Sequence, residues 1–383
     1  MEPRVTVVLP CLNEIESVAA VVRETAAVLD AARVAGEVIV VDNGSTDGSA
    51  IAAAEAGARV VTERRRGYGQ AYLAGFAVAR GSYIVMADAD GSYDLRAIPA
   101  FLEALDRGHD LVMGSRFHGR IAPGAMPWLH RYVGSPALSG ILNLFYGTGV
   151  DDAHCGMRAF RRDVLPQLRL RMPGMEFASE MIVNAARAGL SVGEIPVDYR
   201  VRAGRSKLNT MRDGWRHLRF LLLYSPTHLF LIPGGIMSVV GFALLLLLLP
   251  GPITIGAFYF GIHYMVLGAL FALLGAQIVA LGLYAKTIAV ALGLQQIDRT
   301  LGAFRRVFSL ERGLGAGIVL FAAGFGVDAR IAIRWAASGF GALNDVHPAL
   351  FALAAMVLGL QFTFSSLFLS LIDLHVGRQT SPQ

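Results

Sequence analysis

The chain has 383 residues, 54% of them apolar, with a mean hydropathy of +0.52, which is too apolar for a pair of soluble domains and puts part of the protein in lipid. Its net charge of +5 would suit nucleic acid, but no nucleic-acid-binding motif is present and the basic residues gather beside the hydrophobic half. A membrane surface is the expected partner for that charge, and nucleic acid is not expected.

The first residues, "MEPRVTVVLPCLNE", hold only a short apolar run with an early proline, too short for the core of a signal peptide, so this part is expected to stay in the cytoplasm. Cys11 and Cys155 stand far apart without metal-ligand spacing and are expected to be buried thiols. Strands are predicted at 5–9, 37–41, 59–62, 83–87 and 110–114, where short β-branched runs occur. Between the first two, Val18, Val21, Val22, Thr25, Val28 and Leu29 recur at helical spacing. The alternation predicts an α/β domain, a mostly parallel sheet with flanking helices. Ligands of such sheets gather beyond the carboxyl ends of the strands, and "PCLNE", "DNGSTDGS" and "DADGSYD" follow the first, second and fourth strands.

From about residue 225 the texture changes. Apolar stretches at 229–249, 262–294, 314–333 and 348–372 are each long enough for a bilayer crossing, which predicts an α-helical transmembrane domain with four helices. Asp328 and Arg330 interrupt the third. Arg299, Arg305, Arg306 and Arg312 lie in 295–313, whereas 250–261 has no Lys or Arg, so the N-terminal half, the arginine loop and the tail are expected inside. Between the halves, "TMRDGWRHLRFLLLYSP" alternates Arg212, Arg216, His217 and Arg219 with Trp215, Leu218, Phe220 and Leu221, an amphipathic helix suited to the headgroup level. The expected organisation is a catalytic domain at 1–208, an interfacial helix at 209–225 and a membrane domain at 226–376.

Asp88 and Asp90, directly after a strand, put two carboxylates on one turn, where both can reach one hard divalent cation, Mg²⁺ or Mn²⁺. An Asp-rich turn can equally cap a helix. The companions matter: Asp42, Asn43 and Gly44 form a loop able to bend around a base or ribose, and Asn13 and Glu14 stand at the mouth of the first strand.

In this order and spacing the segments resemble family 2 glycosyltransferases of the GT-A fold, from Val5 to about Leu208. The resemblance implies donor contacts at Pro10, Asn13, Glu14, Asp42, Asn43, Arg66 in "RRRGYGQA" and Arg116, with Asp88 and Asp90 on the metal of a sugar diphosphate. "DDAHCGMRAFRRD" is similar to the acceptor segment of transferases acting on polyprenyl phosphates, with Asp152, Gly156 and Arg158 at matching positions. "RVRAGRSKL" is similar to that branch's R-x-x-G-x-S-K element through Gly204, Ser206 and Lys207. Its leading arginine departs from the pattern: Arg202 stands one residue too close and Arg200 one too far, and Arg202 is chosen here.

The resemblance therefore implies inverting transfer of a hexose from a nucleotide-sugar, UDP-glucose before GDP-mannose, to a polyprenyl phosphate in the cell membrane. Asp90, Asp152, Arg205 and Lys207 are the expected catalytic residues, and Arg158, Arg202, Arg205, Ser206 and Lys207 the expected phosphate contacts. Asp152 could position a sugar hydroxyl or an arginine as readily as take a proton. Where some relatives have a metal-binding Gln, this chain has Ser92, with Asp94 as a supporting residue. Glu176 and Glu180 match the branch but stay outside the expected catalytic set. A homo-oligomer is compatible with this reading. The alternatives are a processive polysaccharide synthase, through the lookalike "QQIDRT", and a non-enzymatic transporter or scaffold.

Overall fold

The structure, a computed structural model, describes residues 3–204, 210–291 and 297–379, without the side chains of 210–213, 223, 299 and 373–379. It forms two compact units, Met1–Leu221 and Leu222–Gln383.

The first unit is built on seven strands: β1 (Val5–Cys11), β2 (Gly36–Asp42), β3 (Arg59–Thr62), β4 (Tyr83–Met86), β5 (Leu111–Ser115), β6 (Arg158–Arg161) and β7 (Val192–Pro196). Their order across the sheet is β3-β2-β1-β4-β6-β5-β7. All neighbours pair parallel except β6, which runs antiparallel to β4 and β5. The helices are α1 (Val18–Ala31), α2 (Ser49–Glu55), α3 (Tyr68–Val78), α4 (Ile98–Asp106), α5 (Ser135–Tyr146), α6 (Leu165–Leu168), α7 (Phe177–Ala188) and α8 (Thr210–Leu223). Every side chain from Val5 to Leu9 is buried, as expected of a strand covered on both faces. The buried stripe of α1 is Val18, Val21, Val22, Thr25 and Leu29, the helical spacing visible in the sequence. Gly75 lets α3 seat on β1, since a Cβ there would lie 2.4 Å from Val8 Cγ1.

The five expected strands are present, with ends shifted by no more than two residues. Two strands were not expected. β6, "RAFR", is short and half arginine, and β7 includes a glycine and a proline, so neither announces itself by periodicity.

The second unit contains α9 (Ile232–Leu248), α10 (Ile262–Ala291), α11 (Arg299–Val307), α12 (Leu310–Ala337) and α13 (Val346–Gln379). A small hairpin, β8 (Ile253–Ile255) with β9 (Phe258–Phe260), follows α9. Four helices are long and apolar enough to cross a membrane: Thr227–Leu248, Ile262–Ala291, Leu310–Ala337 and Val346–Ile372. Small residues bring them together: Gly241 of α9 meets the backbone of Ala272 on α10, and Gly317 of α12 that of Gly359 on α13. Lys286, buried on α10, is paired with Asp298.

Candidate active site

The sheet places three loops at one end. β1 and β2 are in register to their last residues, Cys11 opposite Asp42, so the loops that follow start side by side. They are stitched together. Asn13 N donates to Ser45 Oγ (2.9 Å), Thr46 N to Asn13 Oδ1 (2.8 Å), Glu14 N to Ser49 Oγ (2.9 Å) and Ile15 N to Asp47 Oδ2 (3.1 Å). Asn13 adopts φ 52°, a left-handed conformation that Asn tolerates well. Asp42, nearly buried, accepts from Ser45 N at 3.1 Å.

Asn43 organises the next segment. Its Nδ2 donates to the carbonyls of Glu63 (2.9 Å) and Arg65 (2.8 Å), and its Oδ1 accepts from Gly67 N (2.7 Å). That draws "RRRGYG" across the ends of β1 and β2. Arg66 is exposed there, its Nε beside Gly44. Gly67 must be glycine for a packing reason: a Cβ would lie 2.2 Å from the Pro173 carbonyl oxygen.

Beyond β4 the chain turns through Asp88 and Asp90. Tyr68 Oη donates to Asp88 Oδ1 at 3.2 Å, and Ser92 N donates to Asp90 Oδ1 at 2.9 Å. Burial, then the charge of Asp90, pushes the Asp88 carboxyl up to about 7 from an ordinary 3.8. Both aspartates face a cleft of about 360 Å³, with Pro10, Glu14, Asn43 and Tyr68 on its other walls. Gly174, Met175, Arg202 and Arg216 complete it.

The basic segment returns along the aspartate turn. Ala203 N donates to the Asp90 carbonyl (3.0 Å) and Arg200 N to that of Ser92 (2.7 Å). Arg202 then bridges Glu14 (3.3 Å) and Asp90 Oδ2 (3.4 Å) at the cleft, whereas Arg200 turns to Asp94 (2.8 Å) and Glu24 (3.2 Å). Asp94 is also held by Arg96 (2.5 Å), and these arginines keep its carboxyl at about 2. Arg216, on α8, also lines the cleft. Arg205, Ser206 and Lys207 lie outside the described residues, as do Gln295 and Gln296 of "QQIDRT".

Three further expected site residues are buried. Asp152 is fully buried and grips Arg116: Arg116 Nε reaches Oδ2 (2.7 Å), Nη2 reaches Oδ1 (2.7 Å), and Arg116 N also donates to Oδ2 (3.0 Å). With both oxygens occupied, Asp152 positions an arginine and is not a proton acceptor open to the cleft. Arg116 is nearly buried, its guanidinium 5.3 Å from the Tyr199 ring and two of its nitrogens on Asp152. Arg158, on β6, has no exposed surface. Its guanidinium donates to the carbonyls of Cys155 (2.9 Å), Ala178 (2.6 Å) and Ala153 (2.9 Å), tying the preceding loop to α7 and leaving no face for an acceptor phosphate. Glu180 likewise serves the fold, accepting from the backbone N–H of Arg171 and Met172, each at 2.9 Å. Ser92 is buried, with no partner for its Oγ among the described residues.

Tyr68, Met175 and Arg216 were not among the expected site residues. Tyr68 sat in plain view inside "GYGQA", but nothing in its spacing points to Asp88. The donor set at Asp88 and Asp90 fits a hard divalent cation: burial, and then the charge of Asp90, raises the Asp88 carboxyl, and a cation between the two would offset both.

A cleft over the carboxyl ends of a mixed sheet, with an Asp-x-Asp turn and a membrane-crossing unit in the same chain, is that of a membrane-bound GT-A transferase. Residues 6–169 match glycosyl transferase family 2, and residues 283–373 match the glycosyltransferase family 2 C-terminal transmembrane region. The low-salt glycan biosynthesis hexosyltransferase Agl6 of Haloferax volcanii is 41% identical over 368 residues, spanning 96% of this chain and 88% of its own. The dolichyl-phosphate hexose transferase of the same organism is 32% identical over 210 residues, 54% of this chain and 88% of its own. The undecaprenyl-phosphate 4-deoxy-4-formamido-L-arabinose transferase of Edwardsiella ictaluri is 31% identical over 295 residues, 74% of this chain and 88% of its own. The chain belongs to glycosyltransferase family 2 and is a glycosyltransferase.

Proposed function

We propose that the protein transfers a hexose, with inversion, from a nucleotide-sugar to a polyprenyl phosphate, UDP-glucose being the first donor to test and GDP-mannose the second. The observation that carries this reading is the composition of the cleft: Asp88 and Asp90 line it together with Arg202 and Arg216, the latter on the helix that leads into the membrane-crossing unit. Two anionic groups must meet for such a reaction, the donor diphosphate and the lipid phosphate. Guanidinium groups offset their repulsion and hold phosphate oxygens with directed hydrogen bonds. The names of the relatives, two of which act on dolichyl or undecaprenyl phosphate, point the same way.

In this reading Asp42, Asn13 and the Asn43-stapled loop receive the nucleoside, with Arg66 at its rim. Asp88 and Asp90 would hold Mg²⁺ or Mn²⁺, which supplies Lewis-acid stabilisation of the leaving diphosphate. A phosphate oxygen of the lipid forms the new bond to the anomeric carbon from the face opposite the diphosphate. The bond to the diphosphate breaks, its electron pair leaving with the nucleoside diphosphate. Because a phosphate is already largely ionised near neutral pH, no side chain has to remove a proton, in keeping with an Asp152 that is committed to Arg116. Arg202, already bridged to Asp90 and Glu14, is placed to exchange those partners for phosphate oxygens. Arg205, Ser206 and Lys207 belong to the same basic segment and are proposed to join it there. The arginine-rich stretch 299–312 against the uncharged 250–261 supports a catalytic unit on the cytoplasmic side.

The test is to incubate membranes holding the protein with Mg²⁺, polyprenyl phosphate and labelled UDP-glucose or GDP-mannose, and to extract the lipids. Label in the lipid fraction, lost when Asp90→Asn replaces the wild type, is the expected result. No labelled lipid from any hexose donor overturns the reading.

A further inference from the structure

The segment ahead of α5 carries a surface that does not line the cleft. The chain is helical from Trp128, passes through a wide π-type turn at His130–Gly134 and continues as α5. Its buried side is small, chiefly Ser139 and Leu142. Its open side is apolar: Trp128 is 67% exposed, Tyr132 59% and Leu144 74%, with Leu129 and Val133 exposed between them. With the exposed Pro136, Ala137 and Gly140 between Val133 and Leu144, these positions recur every three or four residues and form one stripe, and no exposed position from Pro127 to Leu144 carries a charge. A helix on a water-facing surface has the reverse pattern.

We propose that this stripe lies in the headgroup and acyl boundary of the bilayer, giving the catalytic unit a membrane contact of its own. Three observations select lipid as the occupant. The stripe begins with Trp128 and Tyr132, the residue types whose ring bodies and polar tips suit that boundary. The guanidinium of Arg131 lies 5.4 Å from the Tyr132 ring and has no carboxylate at ion-pair distance among the described residues, leaving a cation for anionic headgroups. At the other end, Tyr146 Oη donates to the Leu221 carbonyl on α8 at 3.2 Å. Leu221 stands six residues before Thr227, where the first membrane-crossing helix starts. A second copy of the chain is the rival occupant.

The proposal is tested on the full chain in nanodiscs of phosphatidylcholine and phosphatidylglycerol. The three tryptophans are Trp128, Trp215 and Trp335, so Trp215→Phe with Trp335→Phe leaves Trp128 as the reporter. Brominated acyl chains are expected to remove about half or more of its emission, while aqueous iodide removes little. A nitroxide on Leu144→Cys gives a second reading in the native tryptophan background, the two native cysteines being buried. Its collisions with oxygen are expected to exceed those with a water-soluble nickel complex. Iodide quenching without bromolipid quenching overturns the proposal, and so does protection from both quenchers, which would put protein on the stripe.

Discussion

Asp88 and Asp90 follow β4, whereas Asp151 and Asp152 precede β6. Because those strands pair antiparallel, with Met86 opposite Arg158, both pairs sit at the same end of the sheet. Their surroundings separate them. Asp88 and Asp90 face a cleft, and burial, followed by the charge of Asp90, raises the first to about 7. Asp152 is sealed and spends both oxygens on Arg116, while Asp151 is exposed and pairs with His118 at 3.0 Å. A buried carboxylate whose two oxygens are both taken by one fixed cation is finished structure, and one that faces an open cleft with a second carboxylate beside it is a site awaiting charge.

The largest effect should come from breaking the finished pair. Asp152→Ala leaves the Arg116 guanidinium buried without its partner, a loss on the order of 3–5 kcal/mol in stability. Thermal or denaturant unfolding of the purified chain reads it. Asp152→Leu combined with Arg116→Met should recover most of the loss, since a matched apolar pair carries no stranded charge. If Asp152→Ala folds as well as wild type and loses only activity, Asp152 belongs with the catalytic residues after all. The open pair should answer in the opposite way. Asp90→Asn is expected to cut transfer by roughly a hundredfold or more while the unfolding midpoint stays near wild type. An inactive variant that also fails to fold would erase the distinction between the two pairs.

That distinction could not be read from the residues in order. Asp88 and Asp90 are legible because they directly follow an apolar strand, and a strand end in a parallel sheet is where ligands collect. Asp152 has the same local appearance, but its meaning depends on Arg116, 36 positions earlier on another strand end. Arg158 misleads similarly: in sequence it is a cation near an aspartate, and only the pairing of β6 with β4 and β5 shows it swallowed by the sheet. The membrane-crossing helices were plain because roughly 20 apolar residues in a row have few other uses. The stripe from Trp128 to Leu144 was not, because an apolar helix face looks the same whether protein or lipid covers it.

A smaller effect probes the charge shortage at the open pair. Asp88 binds its proton more tightly folded, at about 7, than at its ordinary 3.8. Its contribution to stability is therefore complete below 3.8 and lost as pH rises through about 7. Mg²⁺ should take over from the proton, raising the unfolding midpoint more at about pH 8 than at about pH 6. Asp88→Asn should abolish the difference. Equal shifts at the two pH values would mean that the cation binds elsewhere.

The smallest effect concerns Asp94, which began as a third carboxylate of the same turn and behaves like a member of the finished class. Arg96 and Arg200 hold its carboxyl at about 2. The folded state is thus favoured at any pH above the ordinary 3.8, and that advantage disappears as pH falls through about 2. Arg96 is largely exposed and water screens the pair, so the advantage should stay below about 1 kcal/mol. Asp94→Asn should then be slightly less stable than wild type at neutral pH and match it near pH 2. A gap that persisted through that range would assign the loss to the hydrogen bond with Arg96 N at 3.1 Å instead of to charge. Transfer activity should barely change in this variant, in contrast to Asp90→Asn four residues earlier.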